Sequence, residues 1–134
     1  MKTAWANFVI FLALVSIAVS GCAGWSGGRS ASAATPYGEV RMLDRPTRAH
    51  MRVLEQKVEF TVEKRLVVSV RWLNRARKLY RSEIRVAFFD AQGLSEKEAF
   101  TWDLQSFPPG ECMIEWTSYT REAVRYRIEV RSAH

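Results

Sequence analysis

The sequence has little of the chemistry on which most enzymes and metal sites depend. Among its 134 residues are two cysteines, two histidines and four prolines. His50 and His134 have no partner at metal-ligand spacing, and no glycine-rich loop leads from a strand into a helix. Ser26 lies among glycines but precedes the part of the chain expected to fold, so no scaffold would position it as a nucleophile. We therefore predict that the protein is not an enzyme and uses no metal and no cofactor.

A long apolar run is also missing. The apolar stretch from Phe8 to Val19 is shorter than the roughly 20 residues that a membrane-spanning helix needs. It follows the positive residue Lys2 and ends in Val19-Ser20-Gly21-Cys22, the form of a bacterial lipoprotein cleavage box. The pattern predicts that residues 1–21 are a lipoprotein signal peptide and that Cys22 is acylated, with palmitate among its chains. The lipid bilayer is then the first expected partner.

The predicted signal also indicates the compartment. Export places the domain in the bacterial cell envelope, and Ala23, where an aspartate would favour the inner membrane, favours the outer membrane facing the periplasm. Nucleic acid is not an expected partner, although 20 Lys and Arg outnumber 14 Asp and Glu, because export separates the protein from it. With Cys22 acylated, Cys112 has no partner for an intramolecular disulfide, and it is either a small buried residue or a reactive thiol.

Composition divides the exported chain into two parts. Gly, Ser and Ala predominate after Cys22, and this predicts a flexible tether over residues 22–37. A single folded domain is expected over residues 38–134.

Within that domain, apolar and polar residues alternate with the period of two that is typical of strands. Leu66–Asn74 and Ile84–Phe89 are predicted to form a hairpin, and Val124–Val130 has one apolar side and one charged side. Thr47–Gln56 fits either a short helix near residues 47–56 or part of a strand, and Val53–Val62 is predicted as one strand or two broken strands.

Two further strands are predicted, a weaker one from Glu96 to Trp102 and another from Met113 to Ser118, with a turn forced between them by Pro108-Pro109-Gly110. Six or seven short strands without a long helix predict an all-β fold, an antiparallel immunoglobulin-like β-sandwich. Its core is expected to include seven aromatic residues: Phe60, Trp72, Phe88, Phe100, Trp102, Trp116 and Tyr126.

Two turns have their own chemistry. Asp90 can accept a hydrogen bond from the amide two residues on while Gly93 adopts a positive φ, and Asn74 is predicted to act similarly at the preceding turn. A cation site at Asp90 would need five or six converging oxygens, which the spacing does not provide.

Four motifs follow one another in the folded region: Val67–Asn74, Phe88–Gly93, Trp102 and Ala123–Arg131. In this order, after a lipobox and a short linker, they resemble the YcfL-like family of short bacterial lipoproteins. The resemblance covers about half of the chain and implies an immunoglobulin-like sandwich anchored in the envelope, in a family of unassigned biochemical role. The run Arg85-Val86-Ala87 departs from the family, which tends to have another aromatic residue at this point.

Arginine supplies 15 of the 20 basic residues and concentrates in two segments, 71–85 and 121–131. If these segments are neighbours in one sheet, their outward side chains form one positive face. The first segment contains Arg71, Arg75, Arg77, Lys78, Arg81 and Arg85. The candidate anion-binding face consists of Arg71, Arg85, Arg125, Arg127 and Arg131.

Guanidinium groups form bidentate contacts with carboxylates and phosphates. The leading hypothesis is therefore a non-catalytic, membrane-anchored module that binds an envelope protein or another anionic or acidic envelope component. An ordinary solvated face, with arginines paired to glutamates across strands, explains the same pattern. The glutamates concerned are Glu83, Glu115, Glu122 and Glu129.

The alternative function is a structural or assembly lipoprotein that pairs through a sheet edge or an apolar patch. The residues opposite the expected core side of their strands, which would form that patch, are Leu73, Phe89 and Met113.

Overall fold

The computed structural model describes residues 32–96 and 101–134. The predicted signal peptide, Cys22 and the first part of the tether lie outside the described residues, as does Phe100. The elements in chain order are β1 (Ser32–Thr35), β2 (Gly38–Met42), α1 (Arg45–His50), β3 (Met51–Phe60), β4 (Leu66–Asn74), β5 (Tyr80–Phe89), β6 (Asp103–Phe107), β7 (Gly110–Thr117) and β8 (Arg125–Ser132).

The strands form two sheets. Sheet A has the order β1-β2-β8-β5-β6, and sheet B has the order β3-β4-β7. Every paired strand in the two sheets is antiparallel to its neighbour except in the parallel pair β2 and β8. The predicted β-sandwich with one short helix is therefore confirmed.

The core lies between the two sheets and is built from the apolar sides of their strands. Tyr126, Ile128 and Val130 of β8 are buried, as their alternation with charged residues predicts. From the other sheet, Trp72 is fully buried, and its ring centroid lies 5.7 Å from that of Phe107. Burying these large side chains supplies the main driving force for folding without a disulfide.

The predicted hairpin of β4 and β5 is wrong. β4 pairs with β3 and β7 in sheet B, whereas β5 pairs with β6 and β8 in sheet A. The link over residues 75–79 therefore crosses from one sheet to the other. Alternation shows that each strand has a buried side, but two apolar sides can face each other across a core as readily as they can lie side by side.

The structure corrects several other element boundaries. The described residues form eight strands rather than six or seven, and β1 falls inside the predicted tether. The helix occupies Arg45–His50, with Pro46 in its first turn, and β3 begins at once at Met51. The predicted strand Glu96–Trp102 lies partly outside the described residues, while β6 begins just after it at Asp103.

The aromatic core is smaller than expected. Trp72, Phe88 and Tyr126 are buried, and Trp116 packs against the core while half-buried. Phe60 is 51% exposed at the end of an edge strand, and Trp102 contacts charged side chains on the outside of sheet A. Val124, which alternation assigns to the core, precedes β8 and is exposed.

Both predicted side-chain turns are confirmed. Oδ1 of Asp90 accepts hydrogen bonds from the amides of Gln92 and Leu94, each at 2.9 Å, and Gly93 has a φ of 84°. Oδ1 of Asn74 accepts a hydrogen bond from the amide of Ala76 at 2.8 Å.

Candidate functional site

The structure divides the predicted arginine face between the two sides of the sandwich. Arg85 on β5 and the arginines of β8 share the outer side of sheet A, because β5 and β8 are neighbours. Arg71 lies on β4, in the other sheet. Its guanidinium forms ion pairs with Glu55 at 3.2 Å and Glu111 at 3.4 Å. The single face that includes Arg71 is therefore wrong, since β4 and β5 do not pair.

The arginines on sheet A are largely paired with glutamates. Arg85 donates from Nε to Glu129 at 2.8 Å, and Arg131 donates from Nε to Glu83 at 2.6 Å. In both cases the partners lie directly opposite each other on β5 and β8. Arg127 lies 3.7 Å from Glu39 of β2. Such pairs cancel part of the positive charge of the face.

Aromatic rings also contact the same guanidinium groups. The Cζ atoms of Arg85 and Arg131 lie 4.6 and 4.1 Å from the centroid of the Trp102 ring. Arg127 stacks on Phe89 at 5.3 Å. Arg85, Arg127 and Arg131 are thus engaged by both carboxylates and rings, which is the arrangement of an ordinary paired strand face.

A different group of basic residues gathers at one end of the sandwich. This group, called the basic end below, comes from three segments: helix α1, the first residues of β3, and the link between β4 and β5. Met51 pairs with Asn74, and the amide of Arg75 donates to the carbonyl of His50 at 2.8 Å, which brings the segments together. The basic end consists of Arg45, Arg48, Arg52, Arg75, Arg77 and Lys78.

None of these six side chains forms an ion pair with a carboxylate of the described residues. Two are held by backbone oxygens instead. Nη1 of Arg48 donates to the carbonyl of Met42 at 3.2 Å, and Nη2 of Arg75 donates to the carbonyl of Ala49 at 3.0 Å. Carbonyls orient a guanidinium without neutralising it, so its positive charge remains available to an external anion.

A crevice of about 220 Å³ opens between these arginines. Arg48, Arg52 and Arg75 border it. Its remaining lining is apolar: Ala33, Val40, Met42, Met51 and Val53. The crevice therefore combines an apolar floor with a cationic border, a combination suited to a ligand that has an anionic group next to an apolar part.

The opposite end of the sandwich has a balanced charge. It contains the loop between β3 and β4, the turn after β5 and the loop between β7 and β8. Its described charged residues are four carboxylates and three cations: Glu63, Asp90, Glu96, Glu122, Lys64, Arg65 and Arg121. The described residues of this end therefore have no net positive charge, in contrast to the six cations of the basic end.

Asp44 is the N-cap residue of α1, and its carboxylate is already engaged. Oδ1 accepts from the amide of Thr47 at 2.8 Å, and Oδ2 accepts from the amide and hydroxyl of Ser132, each at 2.7 Å. These bonds cap α1 and fix it to the end of β8. Desolvation raises the pKa of Asp44, but the hydrogen bonds outweigh it and lower the pKa from 3.8 to about 2.

We expect Asp44→Asn to destabilise the domain by about 2 kcal/mol at neutral pH, because it removes a charged acceptor of three hydrogen bonds. A carboxylate with a lowered pKa stabilises the folded state fully above its unfolded pKa of 3.8, and this contribution is lost as pH falls towards about 2. Urea unfolding at a series of pH values should show the difference between the two proteins narrowing over that interval. Asp103→Asn, at an exposed carboxylate, serves as the control, and an unchanged Asp44→Asn difference at low pH would contradict the assignment.

Other kinds of site find no support within the described ranges. No three His, Cys, Asp or Glu side chains are grouped there to hold a metal ion. Residues 32–96 and 101–134 contain no helix long and apolar enough to cross a membrane. Cys112 is half-buried against the core, and burial raises the pKa of its thiol. These observations favour the buried interpretation of Cys112 over the reactive one.

Arginine clustering in the sequence identifies Arg75, Arg77 and Lys78 but not the other half of the basic end. Arg45, Arg48 and Arg52 lie at spacings of three and four residues, a signal that was available. Their approach to the second segment depends on the pairing of β3 with β4, which alternation alone does not specify.

No protein-family model matches the sequence, and no curated protein matches it. Two solved structures share the fold. The Campylobacter jejuni protein cj0090 superposes with a TM-score of 0.59 at 14% identity, over 70% of this chain and 97% of that chain. A DUF1425 family member from Shewanella sp. pv-4 superposes with a TM-score of 0.54 at 19% identity, over 63% of this chain and 79% of that chain. At these identities the likeness is one of fold.

Proposed function

We propose that the protein is a lipid-anchored domain of the bacterial cell envelope, held at the outer membrane by acylated Cys22, that binds an anionic component without catalysing a reaction. The observation that carries the binding role is the basic end, where six cations have no carboxylate partner among the described residues. The arginine face of sheet A is less suited to that role, because Glu129 and Glu83 pair with Arg85 and Arg131, and Glu39 lies near Arg127.

The lipid anchor rests on the sequence from Val19 to Cys22. We also propose membership of the YcfL-like family, supported by the order of the four motifs and by a sandwich fold. Two parts of that motif order have specific contacts in the fold. Trp102 packs against Arg131, and Asp90 accepts a hydrogen bond within its turn.

The alternative, assembly through a sheet edge or an apolar patch, has less support. The edge strand β3 has a bulge between Val53 and Glu55 and carries Lys57 and Glu59, all features that oppose pairing with another strand. Phe89 is covered by Arg127, and Met113 is the exposed member of the predicted patch.

Salt-dependent retention on a phosphate-bearing cation exchanger tests the binding surface. The purified full-length protein in a nonionic detergent is compared with two triple variants of equal net charge. One lacks cations of the basic end (Arg45→Ser, Arg77→Ser, Lys78→Ser), and the other lacks cations elsewhere (Lys64→Ser, Arg121→Ser, Arg125→Ser). All six side chains are exposed and outside the ion pairs of the described residues.

We expect the first variant to elute at clearly lower salt than the second, because clustered cations bind a polyanion together. Equal elution would show that net charge alone governs binding and would overturn the basic end as the anion-binding surface. Mass spectrometry of the N-terminal peptide tests the anchor separately, and an unacylated Cys22 would overturn that part of the proposal.

A further inference from the structure

The described chain begins at the basic end. Ser32 pairs with Arg41, and β1 runs antiparallel to β2, whose last residue, Met42, leads towards helix α1. Ala33 of β1 also lines the crevice that Arg48 borders. The Nε2 atom of Gln56 donates to the carbonyl of Ala33 at 3.1 Å and ties β1 to sheet B. The start of β1 therefore lies beside the cations of the basic end.

The proposed anchor is close to this point along the chain. Ser32 follows Cys22 by ten residues. Even fully extended, ten residues span at most about 35 Å. A ten-residue strand such as β3 is about 33 Å long. The opposite end of the sandwich can therefore lie about that much farther from the anchor than the basic end does.

We propose that the basic end docks onto the anionic phospholipid headgroups of the bilayer that holds Cys22, with the balanced end of the sandwich directed away from the membrane. The inference rests on the proposed lipid anchor and names the ligand of the proposed binding surface. Two independent observations support it: the cations lack carboxylate partners, and β1 starts beside them.

The chemistry of the surface fits a phospholipid better than a free anion. Guanidinium groups bind phosphate through paired N–H donors, and Arg48 and Arg75 are pre-oriented by backbone carbonyls. Met42 and Met51 provide an apolar floor beside them, which suits the part of a lipid adjacent to its phosphate. A free phosphate would use the cations and make no contact with the apolar lining.

The tether makes modest electrostatic attraction sufficient. Each Lys or Arg near an anionic membrane strengthens association by a factor of about five, and the attraction decays within a Debye length of about 8 Å at physiological salt. Because the anchor keeps the domain near the bilayer, docking is an intramolecular step at high effective concentration. Removing three cations should lower the docking equilibrium by a factor of about one hundred.

Site-specific fluorescence on vesicles tests the orientation. Acylated full-length protein carrying Cys112→Ala receives one labelling site, either Leu79→Cys at the basic end or Val62→Cys at the opposite end. Leu79 is 53% exposed and Val62 is fully exposed, so each accepts a dye without entering the core. The protein is reconstituted into phosphatidylethanolamine vesicles, with or without phosphatidylglycerol, that contain a headgroup quencher.

We expect the dye at residue 79 to be quenched several-fold more strongly when phosphatidylglycerol is present, and the dye at residue 62 to be unaffected. Arg45→Ser with Arg77→Ser and Lys78→Ser should abolish the difference, whereas the matched triple Lys64→Ser, Arg121→Ser and Arg125→Ser should retain it. Added inorganic phosphate at constant ionic strength should not release the domain. Release by phosphate would assign the surface to free phosphate and overturn the lipid proposal.

Equal quenching at residues 79 and 62, or quenching independent of phosphatidylglycerol, would overturn the proposed orientation. Mass spectrometry of the same preparation separates this outcome from failure of the anchor. If Cys22 is acylated and quenching does not depend on lipid charge, the docking proposal is wrong and the proposed lipid anchor is retained. If Cys22 is unacylated, the anchor fails, and this inference fails with it.

Discussion

Replacing Asn74 with alanine should cost about 3 to 4 kcal/mol of unfolding free energy, because three backbone groups lose the side chain that satisfies them. Asn74 is buried at the end of β4. Its Nδ2 donates to the carbonyls of Lys78 at 3.0 Å and Phe107 at 2.9 Å, and its Oδ1 accepts from the amide of Ala76 at 2.8 Å. The same side chain therefore fixes the link that carries half of the basic end.

Urea unfolding measures the loss of stability, and amide hydrogen exchange at Ala76 reports on the link itself. Asn74→Asp is the informative companion, because it retains the acceptor for Ala76 but loses the donor to the buried Phe107 carbonyl. We expect the aspartate variant to be nearly as unstable as the alanine variant. A cost below about 1 kcal/mol for both would contradict the role of Asn74 as the organiser of this link.

Gly38→Ala should destabilise the domain by about 3 kcal/mol or more, the upper range for overpacking, because β2 and β8 touch at this residue. A Cβ atom at position 38 would lie 2.1 Å from the carbonyl oxygen of Tyr126 and 2.8 Å from its ring. The Tyr126 ring cannot move aside freely, since its hydroxyl donates to Oε1 of Gln56 at 2.6 Å. Relief would require the parallel strands to separate.

Chemical unfolding and exchange of the Tyr126 amide, which donates to the Tyr37 carbonyl at 2.9 Å, measure this effect. Gly93→Ala is the matched control, because Gly93 has a positive φ but no atom within 4 Å of an added Cβ. Its cost should be about 1 kcal/mol, from backbone conformation alone. A Gly38→Ala protein as stable as the control would show that β2 can shift on β8.

Much of the fold is predictable from local sequence. The alternation in β8 identifies its buried residues because each side chain on a strand points to one of two faces. Asp90 and Gly93 identify their turn because the required hydrogen bond and positive φ are local properties. These features depend on residues a few positions apart, and the structure has them as predicted.

Local sequence does not show which strands pair in a sheet. β4 and β5 have the pattern of a hairpin, yet the short link between them passes from one sheet to the other at the end of the sandwich. Strand β1 consists of small residues whose composition indicates a tether, and its place in sheet A depends on backbone pairing with β2. Both outcomes depend on which strands pair and which strand faces pack together. The spacing of hydrophobic residues along the sequence does not determine either.

The candidate site was only half predictable for the same reason. An arginine count identifies the charge, but the glutamates that neutralise Arg85 and Arg131 lie on a neighbouring strand 44 and 48 residues away. The cations of the basic end come from three segments that the pairing of Met51 with Asn74 brings together. Charged residues form a surface cluster only where strand register brings them together.

Photocrosslinking in intact cells tests membrane docking most directly. A photoactivatable amino acid is placed at position 79 or position 62 of the acylated protein, and adducts are identified by mass after irradiation. We predict phospholipid adducts at position 79 and none at position 62, with the adducts lost when Arg45, Arg77 and Lys78 are replaced by serine. Phospholipid adducts at position 62, or equal adducts at both positions, would contradict a domain that stands on the membrane through its basic end.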